Sequence, residues 1–294
     1  MKNAFTTRHV IVYCLLLLGG MVLLALAGPW LSPYSFDDTR FAPLEAPGIA
    51  HWFGTDMNGR DVLTRTLLGA RLSLLVGCVG ALVSLTVGVC YGMLSGYLGG
   101  AIDNLMMRFV DILYSVPRLI IVIFLIAVFD VEVRQFLTLI GLGGLQQWSR
   151  LLVLFVGLGL VEWLTMARIV RGQVLSLKER PFIDAARVLG QSNLIIMFRH
   201  LLPNLTGLIL VYLTLTIPAV ILDESFLSFL GLGVQAPQAS WGTLLSEGAG
   251  FINPIKISWW MLLGPGLCMA VTLLALNFLG DALRDRFDPR YNKR

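Results

Sequence analysis

The segment Pro181-Phe-Ile-Asp-Ala-Ala-Arg-Val-Leu-Gly190 lies at the centre of a polar, basic island that spans residues 168–204. Long apolar segments precede and follow the island, so it forms a loop between two stretches that are typical of membrane spans. A connection between two spans needs neither this length nor apolar residues of its own. The island is therefore predicted to contact something in water.

The central segment predicts a short helix. Pro181 suits the first helical turn, where its missing N–H costs nothing, and Gly190 is placed to end a helix over residues 182–189. Two alanines give a small face that another protein can approach, an apolar pair forms a knob, and charged residues form a rim. The residues predicted to dock a soluble partner are Arg180, Phe182, Ile183, Asp184, Ala185, Ala186, Arg187 and Gly190. An amphipathic helix that rests on lipid headgroups fits the same pattern equally well.

The rest of the island predicts a second helix. Ser192 or Asn193 can cap it, it runs to about Leu201, and Pro203 then starts the next span. The two helices would form a compact helix–turn–helix under the membrane. A short rigid helix can pass a push from a soluble partner to the flanking spans, whereas a floppy loop would absorb it.

The composition indicates a membrane protein with several spans. Hydrophobic residues make up 56% of the 294 residues, charged residues 14%, and the mean hydropathy is +0.79; a soluble domain carries about 25% charged residues. A membrane-spanning helix needs about 20 apolar residues, and the pattern predicts an all-α fold with six transmembrane helices. The six segments are residues 10–30, 72–102, 108–129, 151–167, 205–222 and 257–280. The first is longer than the core of a cleaved signal peptide and no clear cleavage site follows it, so it is expected to stay as a span.

The distribution of basic residues predicts that both termini are cytoplasmic. With six spans the two ends lie on one side, and 14 of the 22 Lys and Arg residues then fall on that side, as the positive-inside rule requires. The same bias explains the net charge of +4, which is therefore no argument for nucleic-acid binding. The four cysteines and three histidines have no metal-ligand spacing, so no metal site is expected.

Small residues recur at every fourth position of the second predicted span. Such a ridge allows close helix packing in a membrane. A step of four residues drifts by about 40° on an α-helix, so the ridge is expected to wind around the helix and meet more than one neighbour. Static packing is favoured over a sliding or pore-side contact. The ridge residues are Gly80, Ser84, Gly88, Gly92, Gly96 and Gly100.

Three ionisable residues fall inside predicted spans, where charged groups are candidates for function. They are Asp111, Arg118 and Glu162. Arg118 follows Pro117, and it is expected either in a kinked, wet site or paired with Glu162.

The segments on the predicted outer side are rich in Gly, Pro and aromatic residues. Residues 226–258 are expected to form a folded irregular loop that lines a vestibule or gate, since such backbone is tolerated at membrane depth only where protein buries it or water reaches it. Within 33–68, Arg60 and Asp61 can pair with other charges of the segment, and a solvated turn is the default expectation. The gate or vestibule candidates are Asp223, Glu224, Ser228, Gly231, Gly233 and Trp241.

The island resembles the cytoplasmic EAA loop of bacterial ABC importer permeases. Asp184-Ala-Ala, the following Gly190, and the Leu-Pro pair at 202–203 carry the likeness, with Asp where Glu is usual. Further stretches are similar to the oligopeptide, dipeptide and nickel permease group, and closest to the C-type subunits of oligopeptide permeases. The likeness covers nearly the whole chain after about residue 30, and it is weakest at 131–150. The stretches that carry it are Gly54-Thr-Asp-x-x-Gly-Arg-Asp61, Gly69-Ala-Arg-Leu-Ser73, Glu224-Ser-Phe-Leu-Ser-Phe-Leu-Gly-Leu-Gly233, Trp241-Gly242 and Asn277-Phe-Leu-Gly-Asp281.

The resemblance implies a type I ABC importer permease fold and a heteromeric complex in the bacterial inner membrane. Residues 1–69 would hold the first helix and an outer segment, 70–282 the permease domain with its coupling loop at 168–204, and 283–294 a cytoplasmic tail. The implied partners are a second, non-identical permease subunit, two ATPase subunits that bind ATP and Mg²⁺, and a periplasmic or lipid-anchored substrate-binding protein. This chain has no phosphate-binding loop and would have no catalytic site or cofactor of its own.

Oligopeptides are the favoured substrate of such a complex, and dipeptides or nickel chelates stay open. Two other classes of protein are alternatives. A stand-alone ion-coupled transporter should show internal repeats and paired broken helices, and no clear repeat is present. A membrane-embedded enzyme needs a convergent nucleophile or metal set within its spans, and none is apparent.

Overall fold

The computed structural model describes residues 2–236, 238–251 and 258–287, and it is almost entirely helical. The only β pairing within these residues is an isolated antiparallel bridge between Thr55 and Asp61. The helices are α1 (Lys2–Leu31), α2 (Val62–Leu98), α3 (Gly100–Ser115), α4 (Arg118–Leu139), a 3₁₀ helix (Gly143–Trp148), α5 (Ser149–Leu177), α6 (Pro181–Val188), α7 (Asn193–Ile195), a π-helical turn (Ile196–Leu201), α8 (Leu202–Phe229), α9 (Trp241–Gly250) and α10 (Trp260–Phe287).

Five helical segments in the described residues are long and apolar enough to cross a membrane. They lie in α1, α2, α5, the continuous helix Asn193–Phe229, and α10. A sixth span is available only if α3 and α4 are taken together, and these two helices are bent by 88° at the break between them. The prediction of one continuous span over residues 108–129 is therefore wrong.

Pro117 explains the break between α3 and α4. A proline disfavours helical backbone at the residue before it, and Val116 has the extended dihedrals φ −91°, ψ 131°. Pro117 then caps α4, where its missing N–H costs no helical hydrogen bond. Polar Asp111 and Arg118, which the sequence places in one span, consequently lie on two different helices.

The second span begins and ends earlier than predicted, because α2 runs from Val62 to Leu98. Gly99 and Gly100 both have positive φ, at 66° and 60°, a conformation that glycine adopts without strain. Gly100 therefore begins α3, and an added β-carbon there would meet nothing within 4 Å. The expectation that Gly100 belongs to the packing ridge is wrong.

The other glycines of the ridge lie where α2 packs on its neighbours, and α2 with α5 forms the most extensive helix contact in the fold. A β-carbon at Gly88 would lie 2.6 Å from Met166, one at Gly96 would lie 2.9 Å from the carbonyl oxygen of Arg171, and one at Gly92 would overlap backbone of α5. Gly80 instead faces α8, where an added β-carbon would lie 2.8 Å from Val220. The ridge thus meets α5 and α8, and buried Ser84 lies between the two contact regions.

The two ends of the bundle are named here by the short helices that lie there. The α6 end holds residues 178–204, and the α9 end holds residues 32–61 and α9. Arg60 and Asp61 do not lie in a solvated turn, because Arg60 binds Asp56 at 2.7 Å and buried Asp61 lies 2.9 Å from His51. Asp61 also caps α2 by accepting from the backbone N–H of Thr64.

The long loop predicted at 226–258 is largely helical where the structure describes it. Helix α8 continues to Phe229, and α9 begins after a capping box formed by Ser240 and Thr243. Likewise α4 continues to Leu139, well into the stretch 131–150. Pro237, residues 252–257 and the tail beyond Phe287 lie outside the described residues, so the predicted tail at 283–294 is seen only in its first part, which belongs to α10.

Candidate coupling surface and charged sites in the spans

Helix α6 forms for the local reasons that its sequence supplies. Arg180 is extended, Pro181 occupies the first turn, and Asp184 and Arg187 lie in the first and last turns, where each charge is favoured by the helix dipole. Arg187 donates to Asp184 at 3.0 Å. Gly190, at φ +74°, ends the helix, and its N–H donates to the carbonyl of Arg187.

One face of α6 is buried in the chain itself. Ile183 has no exposed surface, Ala186 is buried, and both belong to a core cluster that includes Met93, Val174 and Leu201. Burial of an isoleucine side chain is worth roughly 1.5–3 kcal/mol. The expectation that Ile183 forms an exposed knob, and Ala186 a face open to a partner, is therefore wrong. These two residues anchor α6 to the bundle.

The opposite face of α6 is exposed and apolar, and it continues onto the next helix. Val188 is 88% exposed and Leu189 is 78% exposed. Arg180, Asp184, Ala185, Arg187 and Gly190 are exposed around them. We call this surface the α6–α7 face; its large apolar members are Phe182, Val188, Leu189, Leu194, Ile195 and Phe198. All but Phe182 were missed from the sequence, although helical spacing from Phe182 through Ala185 to Leu189 indicates a second apolar side.

The predicted second helix of the island does not exist as a separate element. Ser192 caps α7, and the chain then continues through the π-helical turn into α8 without a break, so that Asn193–Phe229 is one helix. Pro203 lacks an N–H and its ring crowds the carbonyl four residues earlier. The wider π turn directly before α8 accommodates that loss, since such turns are inserted where the α-helical hydrogen-bond ladder is interrupted. Pro203 therefore does not start a new helix.

Polar contacts fix the island to helices α2 and α3. The hydroxyl of Tyr97 on α2 donates to Oδ1 of Asn193 at 2.8 Å. Arg171 on α5 donates to both carboxylate oxygens of Asp103 on α3 at 2.6 Å, and Lys178 donates to the carbonyl of Gly96 at 3.2 Å. The α6–α7 face is therefore carried on a rigid support.

The charged residues predicted within the spans, Asp111, Arg118 and Glu162, belong to two groups of ion pairs. In the first, Arg118 lies between two carboxylates: its Nη1 is 3.0 Å from Oε1 of Glu162, and its Nη2 is 3.0 Å from Oδ1 of Asp223. In the second, Arg168 donates to Asp111 at 2.7 Å. Pairing with Glu162 was one of the two alternatives that the sequence left open for Arg118, whereas Asp223 was predicted at an outer helix end rather than in this cluster.

The gate candidates other than Asp223 form a packed block rather than an open vestibule within this chain. Oε1 of the fully buried Glu224 accepts from Ser228 at 2.6 Å and from Ser240 at 2.7 Å. The backbone of buried Trp241 donates to Ser73 on α2 at 3.0 Å. Gly233 comes so close to Ser228 that a β-carbon there would overlap it, and nearby Gly231 turns the chain after α8 with φ +75°. The block ties α2, α8 and α9 together.

Residues 88–293 match the family described as binding-protein-dependent transport system inner membrane component. This chain belongs to that family. The match covers the α6–α7 face, both charged groups and the part of α2 that packs on α5 through Gly88, Gly92 and Gly96. It identifies the bundle as a type I permease domain and the protein as a multi-pass protein of the bacterial inner membrane.

Individual relatives are similar over almost the full length. The chain is 45% identical to the oligopeptide transport system permease protein OppC of Escherichia coli K12, over 98% of this chain and 90% of the relative. It is 42% identical to OppC of Haemophilus influenzae, over 98% and 87%. It is also 43% identical to the dipeptide transport system permease protein DppC of Bacillus subtilis, over 93% and 79%.

Proposed function

We propose that this chain is one of two non-identical permease subunits of an ATP-driven peptide importer, and that the α6–α7 face is where an ATPase subunit docks. The observation that carries the docking role is the division of α6 into an anchored side and an exposed apolar side. Ile183 holds the helix on the core while Val188 and Leu189 face outward. Exposed apolar patches rimmed by polar residues are typical of protein interfaces.

A headgroup-resting helix is the less favourable account of the same face. Arg180 and Arg187 beside the apolar residues would suit lipid headgroups, but a helix that only rests on headgroups needs no anchor in the protein core, whereas Ile183 and Ala186 are buried there. Anchoring also argues for a partner, because a helix fixed by buried side chains and polar contacts transmits a displacement to the bundle. The apolar face then supplies the contact area and the charged rim supplies orientation.

Peptides are the proposed substrate because relatives at 42–45% identity are oligopeptide and dipeptide permease proteins. Oligopeptides are favoured over dipeptides, since the two OppC relatives align over 98% of the chain and the DppC relative over 93%. The α6 end and both termini would lie in the cytoplasm, and a binding protein, periplasmic or lipid-anchored, would deliver substrate at the α9 end. ATP and Mg²⁺ would be bound by the two ATPase subunits.

The mechanism that follows is alternating access. Closure of the ATPase pair on ATP would draw the α6 helices of the two permease subunits together, and the path between the subunits would open outward. Each α6 acts as a lever because it is rigidly joined to α5 and to the helix Asn193–Phe229. This chain contributes half of the path and no chemical step.

Leu189→Asp tests the docking role in the assembled complex. A carboxylate in the middle of the α6–α7 face should abolish co-purification of the ATPase subunits and ATP-driven peptide uptake into proteoliposomes, while the chain still inserts with the second permease subunit. Leu139→Asp is the matched control, since Leu139 is as exposed as Leu189 but lies at the last residue of α4, away from the α6–α7 face. Normal ATPase co-purification with Leu189→Asp would refute the docking role, and ATP-independent uptake by the isolated chain would refute the importer itself.

A further inference from the structure

We infer that Arg118, Glu162 and Asp223 form a site in the translocation path that receives cationic groups of the substrate. The inference rests on the proposed function, because it names what part of the path does to a passing peptide. These three residues are called the path cluster below. They belong to three different helices, α4, α5 and α8.

The path cluster lies deep in the bundle rather than at its surface ends. The hydroxyl of Ser149, the first residue of α5, donates to Oδ1 of Asp130 on α4 over 2.6 Å. Asp130 and Ser149 are therefore at the same height in the bundle, near the α9 end. Arg118 is twelve residues before Asp130, and Glu162 is thirteen residues after Ser149. At 1.5 Å per residue, both lie about 18–20 Å below that level, and Glu162 is near the middle of the 29-residue helix α5, which is long and apolar enough to span a membrane.

At that depth the exposed part of Arg118 cannot face lipid. Its side chain is 54% exposed in the isolated chain, while those of Glu162 and Asp223 are almost covered. Ionisable groups within a membrane face the interior of a bundle or a water-filled cavity. The open side of the path cluster therefore faces either the second permease subunit or a wet path.

The residues beside the path cluster favour the wet path. Towards the α6 end, Glu162 is followed along α5 by the exposed residues Thr165 and Arg168, each three residues further on. Tyr114 is 2.5 Å from Thr165, and the guanidinium of Arg168 lies 3.9 Å from the centre of the Tyr114 ring. Towards the α9 end, the exposed residues of α5 are instead apolar: Leu152, Val156 and Leu160. A polar stripe confined to one half of a helix is what a water-lined half-path requires.

The charge of the path cluster decides which group it takes. One guanidinium faces two carboxylates, so the formal net charge is −1. Nη1 and Nη2 of Arg118 each contact one of the two carboxylates, so one positive group is shared between two negative groups. An ammonium or guanidinium group of a passing peptide is therefore attracted, whereas a carboxylate is repelled.

The test compares two peptides of opposite side-chain charge in the reconstituted complex, with ATP and a saturating amount of the binding protein. The measured quantity is the ratio of uptake of Ala-Lys-Ala to uptake of Ala-Glu-Ala, so that any preference of the binding protein cancels between variants. Glu162→Gln/Asp223→Asn changes the cluster from −1 to +1, and the ratio should fall roughly tenfold, which corresponds to about 1.4 kcal/mol. Either single variant should give a smaller fall, and Arg118→Gln should raise the ratio. Glu132→Gln, an exposed carboxylate further along α4, is the control and should leave the ratio unchanged.

The outcomes separate the inference from simpler roles. An ion cluster that only holds the helices together, or that only contacts the second permease subunit, would lower uptake of both peptides equally. An unchanged ratio in the double and single carboxylate variants therefore overturns the inference and leaves the importer in place. If the wild-type complex takes up neither peptide with ATP, the proposed function falls and the inference falls with it.

Discussion

Replacement of Ile183 by alanine tests the central structural argument, which is that α6 is anchored on one side and presented on the other. Ile183 is completely buried in the cluster that joins α6 to α2, α5 and the helix Asn193–Phe229. The substitution removes three buried carbon groups at about 0.8 kcal/mol each, or about 2.4 kcal/mol. The cavity left behind adds to this unless α6 settles into it.

That loss acts locally, because α6 is a short helix held at one edge of the core. A cost of about 2.4 kcal/mol corresponds to a roughly 50-fold larger population of detached α6. Local opening of this kind is measured by amide hydrogen exchange. The reporters are the backbone amides of Leu189, Gly190 and Gln191, which donate to the carbonyls of Ala185, Arg187 and Ala186. Their exchange in Ile183→Ala should be roughly 50-fold faster than in the wild-type chain.

Val188→Ala is the matched control, since Val188 is in the same helix but 88% exposed. It should leave amide exchange nearly unchanged, because almost no buried surface is lost, while it weakens ATPase binding. Ile183→Ala should do the reverse. ATPase subunits should still bind, but less peptide should be taken up per ATP hydrolysed, since a loosely attached α6 transmits less of the ATPase movement to the bundle. Equal exchange in Ile183→Ala and the wild type, or faster exchange in Val188→Ala than in Ile183→Ala, would refute the two-sided view of α6.

Two further predictions concern stability, measured as the melting temperature of the purified chain in detergent. Gly92→Ala should lower the melting temperature, because the added β-carbon overlaps backbone of α5 and such overpacking costs about 1–3 kcal/mol. Gly20→Ala, with open space around it, should raise the melting temperature slightly through helix propensity. A rise in both variants would show that α2 and α5 do not pack this closely. Arg65→Ala should lower it by removing a buried guanidinium that binds Glu247 at 2.5 Å and 3.0 Å, a loss of about 3 kcal/mol. Arg40→Ala, in an exposed ion pair, should have no measurable effect, and equal effects of the two arginine variants would contradict the buried role of Arg65.

The short helix of the island could be predicted because its boundaries are set by local backbone chemistry. Pro181 fixes the start, and Gly190 fixes the end by taking a positive φ. Which side of the helix is buried could not be predicted. Ile183 with Ala186, and Phe182 with Leu189, are both apolar pairs at helical spacing, and only the packing of distant residues such as Met93 against the first pair decides between them.

The structural effect of each proline could not be predicted from the sequence either. Pro117 marks an 88° bend, whereas Pro218 and Pro265 lie inside α8 and α10, and Pro203 follows directly on a π turn. The residue type is identical in all four cases. In membrane helices the freed carbonyl can be satisfied by neighbouring helices or by local π adjustment, so the outcome depends on tertiary surroundings that a single sequence does not reveal.

The packing of α2 on α5 determines how a displacement of α6 would be transmitted to the path cluster. Because backbone meets backbone at Gly88 and Gly92, these two helices have no room to slide and must move as one body; close-packed interfaces shift between discrete arrangements rather than deform continuously. Helix α4 is different, since Pro117 separates it from α3 and it packs mainly on α5. Arg118 at the start of α4 holds Glu162 of the moving pair and Asp223 of α8, so a relative movement of the three helices must change at least one of the two ion pairs. The path cluster would then offer a different set of free carboxylate oxygens in each state, and a site that binds cationic groups would release them as the path opens.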